Sequence, residues 1–127
     1  MQMSDPETLW QALRSEAQVV AAQEPVLASY VHSVILHHHS LAEAISFHLA
    51  NLLDSSTAPA LLLREVCLDA LAADPQILRD LCRDIVACYE RDAACDQYLM
   101  PVLYFKGFHA LQSYRIAHWL WQQGRRM

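Results

Sequence analysis

Three consecutive histidines, His37, His38 and His39, are the first side chains in this sequence that invite a chemical reading. Imidazole nitrogens bind transition metals, so a histidine run suggests a metal site. On a regular helix, however, neighbouring residues point about 100° apart, so three in a row do not converge on one ion. His48 falls among apolar residues, where a hydrogen-bonded core histidine is the simpler expectation. A second candidate is the line Lys106, His109 and Ser113, whose spacing puts them on one helix face. Such a line suggests nucleophilic catalysis, but no carboxylate at helical spacing orients the histidine. A polar stripe bonded to a neighbour is the favoured reading. The third candidate is the "ERDAACDQY" stretch with Glu90, Asp92 and Asp96. Carboxylates grouped beside a helix start can receive an ammonium group, or can cap the helix and face water. Spacing alone favours the second. The Glu-x-x-His pairs of di-iron bundles, phosphate-binding glycine loops, G-x-S-x-G and H-E-x-x-H are all missing. Metal binding is therefore not expected.

The elements that must position these residues are helical. Of the 127 residues, 54% are hydrophobic and 18% charged, which excludes disorder and suits an all-α domain. Two glycines in the whole chain are too few for a β-rich architecture. The reading is one domain over residues 1–127, a bundle of about six helices. "SDPE" places Ser4 as N-cap with Glu7 completing a capping box. A second helix starts near Pro25. "SLAE" is another box, Ser40 with Glu43. "STAP" opens a fourth helix. Asp74 caps a fifth with Pro75 in its first turn, where a missing N–H costs nothing. On that helix Ile77, Leu78, Leu81, Cys82, Ile85 and Val86 oppose Arg79, Asp80, Arg83 and Asp84, a charged set read as a solvated face. A short loop follows, and then a single long helix over 101–123 that Gly124 stops.

That last helix has an unusual pattern. Tyr104, Phe108 and Leu111 share a face that continues as Arg115, His118 and Gln122, while the apolar stripe moves to Tyr114, Ile116, Ala117, Leu120 and Trp121. A helix whose apolar side shifts packs against two different things. Trp119, Leu120 and Trp121 together predict an exposed patch that a further domain or a second subunit would cover.

Charge and cysteine usage narrow the partners. The net charge is −5, and the arginine pair at 125–126 is the one basic cluster, so nucleic acid is not an expected partner. Cys67, Cys82, Cys88 and Cys95 form no C-x-x-C pair and read as reduced thiols of a cytoplasmic protein. No signal peptide is evident at the start. The longest uncharged stretch, 25–42, carries three serines and four histidines, which is wrong for a membrane span.

"LYFKGFHALQSYRIAHWLWQQGRR" resembles the K-G-F-H-A-L-Q-x-Y-R-I-x-H-W-L-W run of bacterial serine O-acetyltransferases. "EPVLASYVHSVIL", "SFHLANLL", "REVCLDALAADP" and "RDAACDQY" resemble successive parts of the same family's N-terminal helical domain. The resemblance implies acetyl transfer from acetyl-CoA to L-serine in cysteine biosynthesis. It also implies that the catalytic histidine, its aspartate and the acetyl-CoA site lie in a following β-helix of hexapeptide repeats. This chain is then expected to hold no catalytic residue and no cofactor site, and to be inactive alone. Its last helix becomes a connector, with the chain ending at a domain boundary. Asp92 matches the aspartate of the family's R-D-P-A segment, which contacts the amino group of serine or of the inhibitor L-cysteine; Asp96 is a second candidate beside it. Ala93 replaces the usual proline. The family also implies a dimer of trimers through the helical domains, and binding of O-acetylserine sulfhydrylase through a C-terminal tail that this chain lacks. The alternative is a stand-alone, non-catalytic oligomerisation or regulatory module.

Overall fold

The computed structural model describes residues 2–124. The arginine pair at 125–126 lies outside them. Seven α-helices and no strand occur among the described residues: α1 (Pro6–Gln23), α2 (Pro25–Val31), α3 (Leu41–Leu53), α4 (Ala60–Ala73), α5 (Pro75–Arg91), α6 (Leu99–Tyr104) and α7 (Lys106–Gln122). The all-α expectation holds, and the bundle closes around Leu9, Leu13, Ile35, Ile45, Leu49, Leu81, Ile85 and Val102.

Several helix starts are written locally. Asp74 caps α5 by accepting from the Gln76 N–H, with Pro75 next to it. Ser40 accepts from the Glu43 N–H, and Glu43 reaches back to the N–H of His39. At α1 the cap is Asp5, not Ser4. Pro6 occupies the first turn without needing a hydrogen bond, so the preceding aspartate takes the Thr8 N–H at 3.1 Å. The fourth helix starts after Pro59, and Asp54 binds its first N–H, on Ala60, at 2.7 Å across the connecting turn.

Other helix ends borrow their partners from far along the chain. After α2 the backbone widens into a π-helical turn over His32–Leu36, closed by the His37 N–H on the His32 carbonyl at 2.8 Å. Arg14 of α1 then satisfies the Leu36 and His38 carbonyls at 3.3 and 3.0 Å. The three histidines thus lie beyond a helix end rather than on a regular helix.

The expected long last helix is two helices. The chain turns extended at Phe105 (φ −88°, ψ 103°), ending α6 and starting α7. The break costs little because the ring of His109, one turn into α7, donates from Nε2 to the Val102 carbonyl at 2.7 Å. That carbonyl would otherwise lose its helical partner at the kink.

On α7 the buried residues are Phe108, Gln112, Ile116 and Leu120, a stripe at four-residue spacing. Such a stripe drifts about 40° per step, so the apolar side turns gradually and does not jump. Gln112 is the connecting position that a hydrophobic reading passes over. It is 1% exposed, and its amide donates to Asp84 at 2.7 Å and accepts from Arg115 at 3.0 Å. Arg115 closes the triangle with an ion pair to Asp84. Asp84 is therefore no part of a merely solvated face; α7 packs along α5 and makes it an anchor. The aromatic trio also divides: Leu120 is buried, Trp119 packs against the core and Trp121 is exposed.

Candidate functional site

The residues that collect around the connection between α5 and α6 form an acidic edge. Asp92 ends α5, its N–H still bonded to the Cys88 carbonyl at 3.1 Å. Its side chain folds forward, and Oδ1 accepts from the Ala94 N–H at 2.9 Å. This aspartate turn constrains the loop even though Ala93 stands where proline would do so. Asp92 is exposed, and its Oδ2 makes no hydrogen bond among the described residues. Asp96 is exposed on the same loop. Burial is the first cause that pushes the Cys95 thiol up, the hydrogen bond to the Gln97 backbone opposes it, and the nearby charges of Asp92, Asp96 and Glu16 add to the rise.

Glu16 is the residue that sequence reasoning missed. It sits on α1, half-buried, and its two oxygens accept the N–H groups of Tyr98 and Leu99 at 3.2 and 2.9 Å. Burial raises its carboxyl above the ordinary range, the two N–H groups oppose that shift, and repulsion from Asp96 adds to it. The partners are 82 and 83 positions away, so no local pattern announces them. Tyr98 stacks on Tyr89 of α5, with ring centroids 4.2 Å apart and planes 28° from parallel. Glu90 is exposed and is felt at Tyr98, whose phenol burial pushes up first.

The other candidates do not assemble a reactive centre. His109 is committed to the Val102 carbonyl, Lys106 is exposed and Ser113 is half-buried. The His38 ring binds the Ser33 carbonyl at 3.0 Å and lies against Phe47. His48 is buried as expected, but its Nε2 has no hydrogen-bond partner among the described residues. Its ring meets His109 edge-on at 5.2 Å. No group of three or more His, Cys, Asp or Glu side chains that could hold a metal occurs among the described residues. A groove of about 560 Å³ lies between α3, α4 and α7, walled by Leu49, Leu63, Val66 and Ile116. Its Cys67 thiol is pushed up to about 11 by burial, so the groove has no group suited to proton transfer near neutrality. No helix among the described residues is long and apolar enough to cross a membrane.

Comparison with known proteins agrees with this architecture. The family described as "Serine acetyltransferase, N-terminal" matches residues 9–113. The serine acetyltransferase of Escherichia coli K12 is 48% identical over 126 residues, covering 99% of this chain and 46% of that protein. Among solved structures, a serine acetyltransferase in complex with cysteine superposes with a TM-score of 0.91 at 46% identity, covering 94% of this chain and 50% of that one. The Neisseria gonorrhoeae serine acetyltransferase in complex with serine gives 0.88 at 45% identity, covering 91% and 48%. An all-helical domain with an acidic edge, matched over nearly its whole length, belongs to the serine acetyltransferase N-terminal family. The chain spans about half the length of the relatives it matches.

Proposed function

We propose that this chain is the helical portion of a serine O-acetyltransferase, and that Asp92, with Asp96 beside it, receives the ammonium group of L-serine. The parent reaction moves an acetyl group from acetyl-CoA to the serine hydroxyl, with a general base withdrawing the hydroxyl proton. The observation that carries this reading is the exposed carboxylate of Asp92, held through Oδ1 by its own turn to Ala94. L-Cysteine has the same α-ammonium group and differs only in bearing a thiol for the hydroxyl. One carboxylate can therefore read both the substrate and a feedback inhibitor. The cysteine- and serine-bound relatives support that reading.

The rest of the domain serves assembly. Val26 and Leu61 are 92% and 71% exposed, apolar surface of the kind that joins helical domains of a trimer pair. Four free thiols suit a reducing compartment such as the cytoplasm. The acetyl-CoA site and the general base belong to the part of the enzyme beyond these helices, so the isolated chain releases no CoA from acetyl-CoA and serine.

The test is a chimera in which this segment replaces the matching region of the Escherichia coli relative. Asp92→Ala raises the serine KM and the cysteine inhibition constant about 10- to 100-fold, the worth of one hydrogen bond to a charged group. The acetyl-CoA KM stays put. An unchanged serine KM in that variant would sink the assignment.

A further inference from the structure

We infer that Glu16 is a positioning residue for the acidic edge, holding the loop of Asp92 and Asp96 in place from α1 without touching the substrate. The inference rests on the amine-binding reading of that loop and adds the part that sets its geometry.

The backbone donors at the start of α6 account for the role. Tyr98 stands at the N-cap and offers no side-chain hydrogen bond. The Met100 N–H goes to the Gln97 carbonyl at 3.3 Å, and Pro101 has no N–H to place. The N–H groups of Tyr98 and Leu99 remain, and Leu99 is buried. Both are taken by Glu16. A buried donor left without a partner is costly, so this short helix depends on a side chain from another element for its start.

The same contact fixes the far end of the loop. Its near end is tied to α5 through the Asp92 N–H on Cys88, and its middle through the Cys95 N–H on the Asp92 carbonyl at 2.9 Å. Tyr98 is held sideways by Tyr89. Glu16 adds the link to α1, so the loop is anchored to two helices instead of hanging from one. Both Glu16 oxygens are engaged, and the residue is half-buried. It is therefore suited to setting the position of its neighbours and not to binding an ammonium group itself.

The chimera separates this role from general support. Glu16→Ala and the near-isosteric Glu16→Gln raise the serine KM and the cysteine inhibition constant, Ala about 10-fold and Gln less, because small displacements of a binding group are costly. The acetyl-CoA KM and the kcat at saturating serine stay within about twofold. A merely structural contact would lower the melting temperature or the active fraction and leave the serine KM alone. An unchanged serine KM in both variants, with Asp92→Ala still raising it, overturns the positioning role of Glu16. An unchanged serine KM in Asp92→Ala as well overturns the amine-site reading and this inference with it.

Discussion

Helices α1, α3 and α5 start on caps written into their own sequence, whereas α6 is capped at both ends by residues from other helices. Asp5, Ser40 and Asp74 each lie next to the helix they cap, within three positions of the N–H they satisfy. Glu16 and His109 approach α6 from α1 and α7, and Arg14 does the same for the carbonyls after the π-helical turn. A local cap stabilises one helix. A borrowed cap stabilises a helix and also fixes its place relative to another, so its loss should reach further.

The largest effect expected to sharpen this contrast comes from His48, which packs beside the α6–α7 joint. Its pKa is lowered from 6.5 to about 4, first by burial and then by the facing His109, with the Leu103 and Val102 carbonyls pulling weakly the other way. Folding thus holds the ring neutral. The stability this represents is complete above about pH 6.5 and is lost as the pH falls toward 4, to a total of about 3 kcal/mol. Urea midpoints should drop by the equivalent of about 2 kcal/mol between about pH 7 and about pH 5. His48→Leu should flatten that slope. A midpoint indifferent to pH over this range would break the link between the joint and His48.

A smaller loss is expected for His109→Leu, which strips the Val102 carbonyl of its donor and should cost about 1–3 kcal/mol in denaturant unfolding. Hydrogen exchange should then quicken at both α6 and the first turn of α7. Asp5→Ala is the smallest, about 1 kcal/mol, with faster exchange confined to the start of α1. Equal costs and equally local exchange in the two variants would erase the distinction between borrowed and local caps.

The same distinction explains what the sequence could tell. The all-α class and the start of α5 were legible because proline placement, capping aspartates and apolar spacing all act within one turn. The break at Phe105 was not, because the kink holds no proline and is stabilised by a ring from the following helix. A hydrophobic pattern passes over Gln112 and leaves Asp84 on a solvated face for a related reason: each is polar, and their positions between helices become acceptable only once the two meet across α5 and α7. At the acidic edge the motif resemblance pointed to Asp92 and Asp96, but nothing near them in sequence pointed to Glu16.

The four thiols differ in accessibility, and that has a practical consequence. Burial pushes Cys82 up to about 12 and Cys67 up to about 11, and Cys95 is buried as well. Cys88 is half-buried and lies one turn before Asp92, whose N–H it receives. A maleimide probe should therefore react at Cys88 first, giving a native attachment point for a fluorophore beside the loop without engineered cysteines.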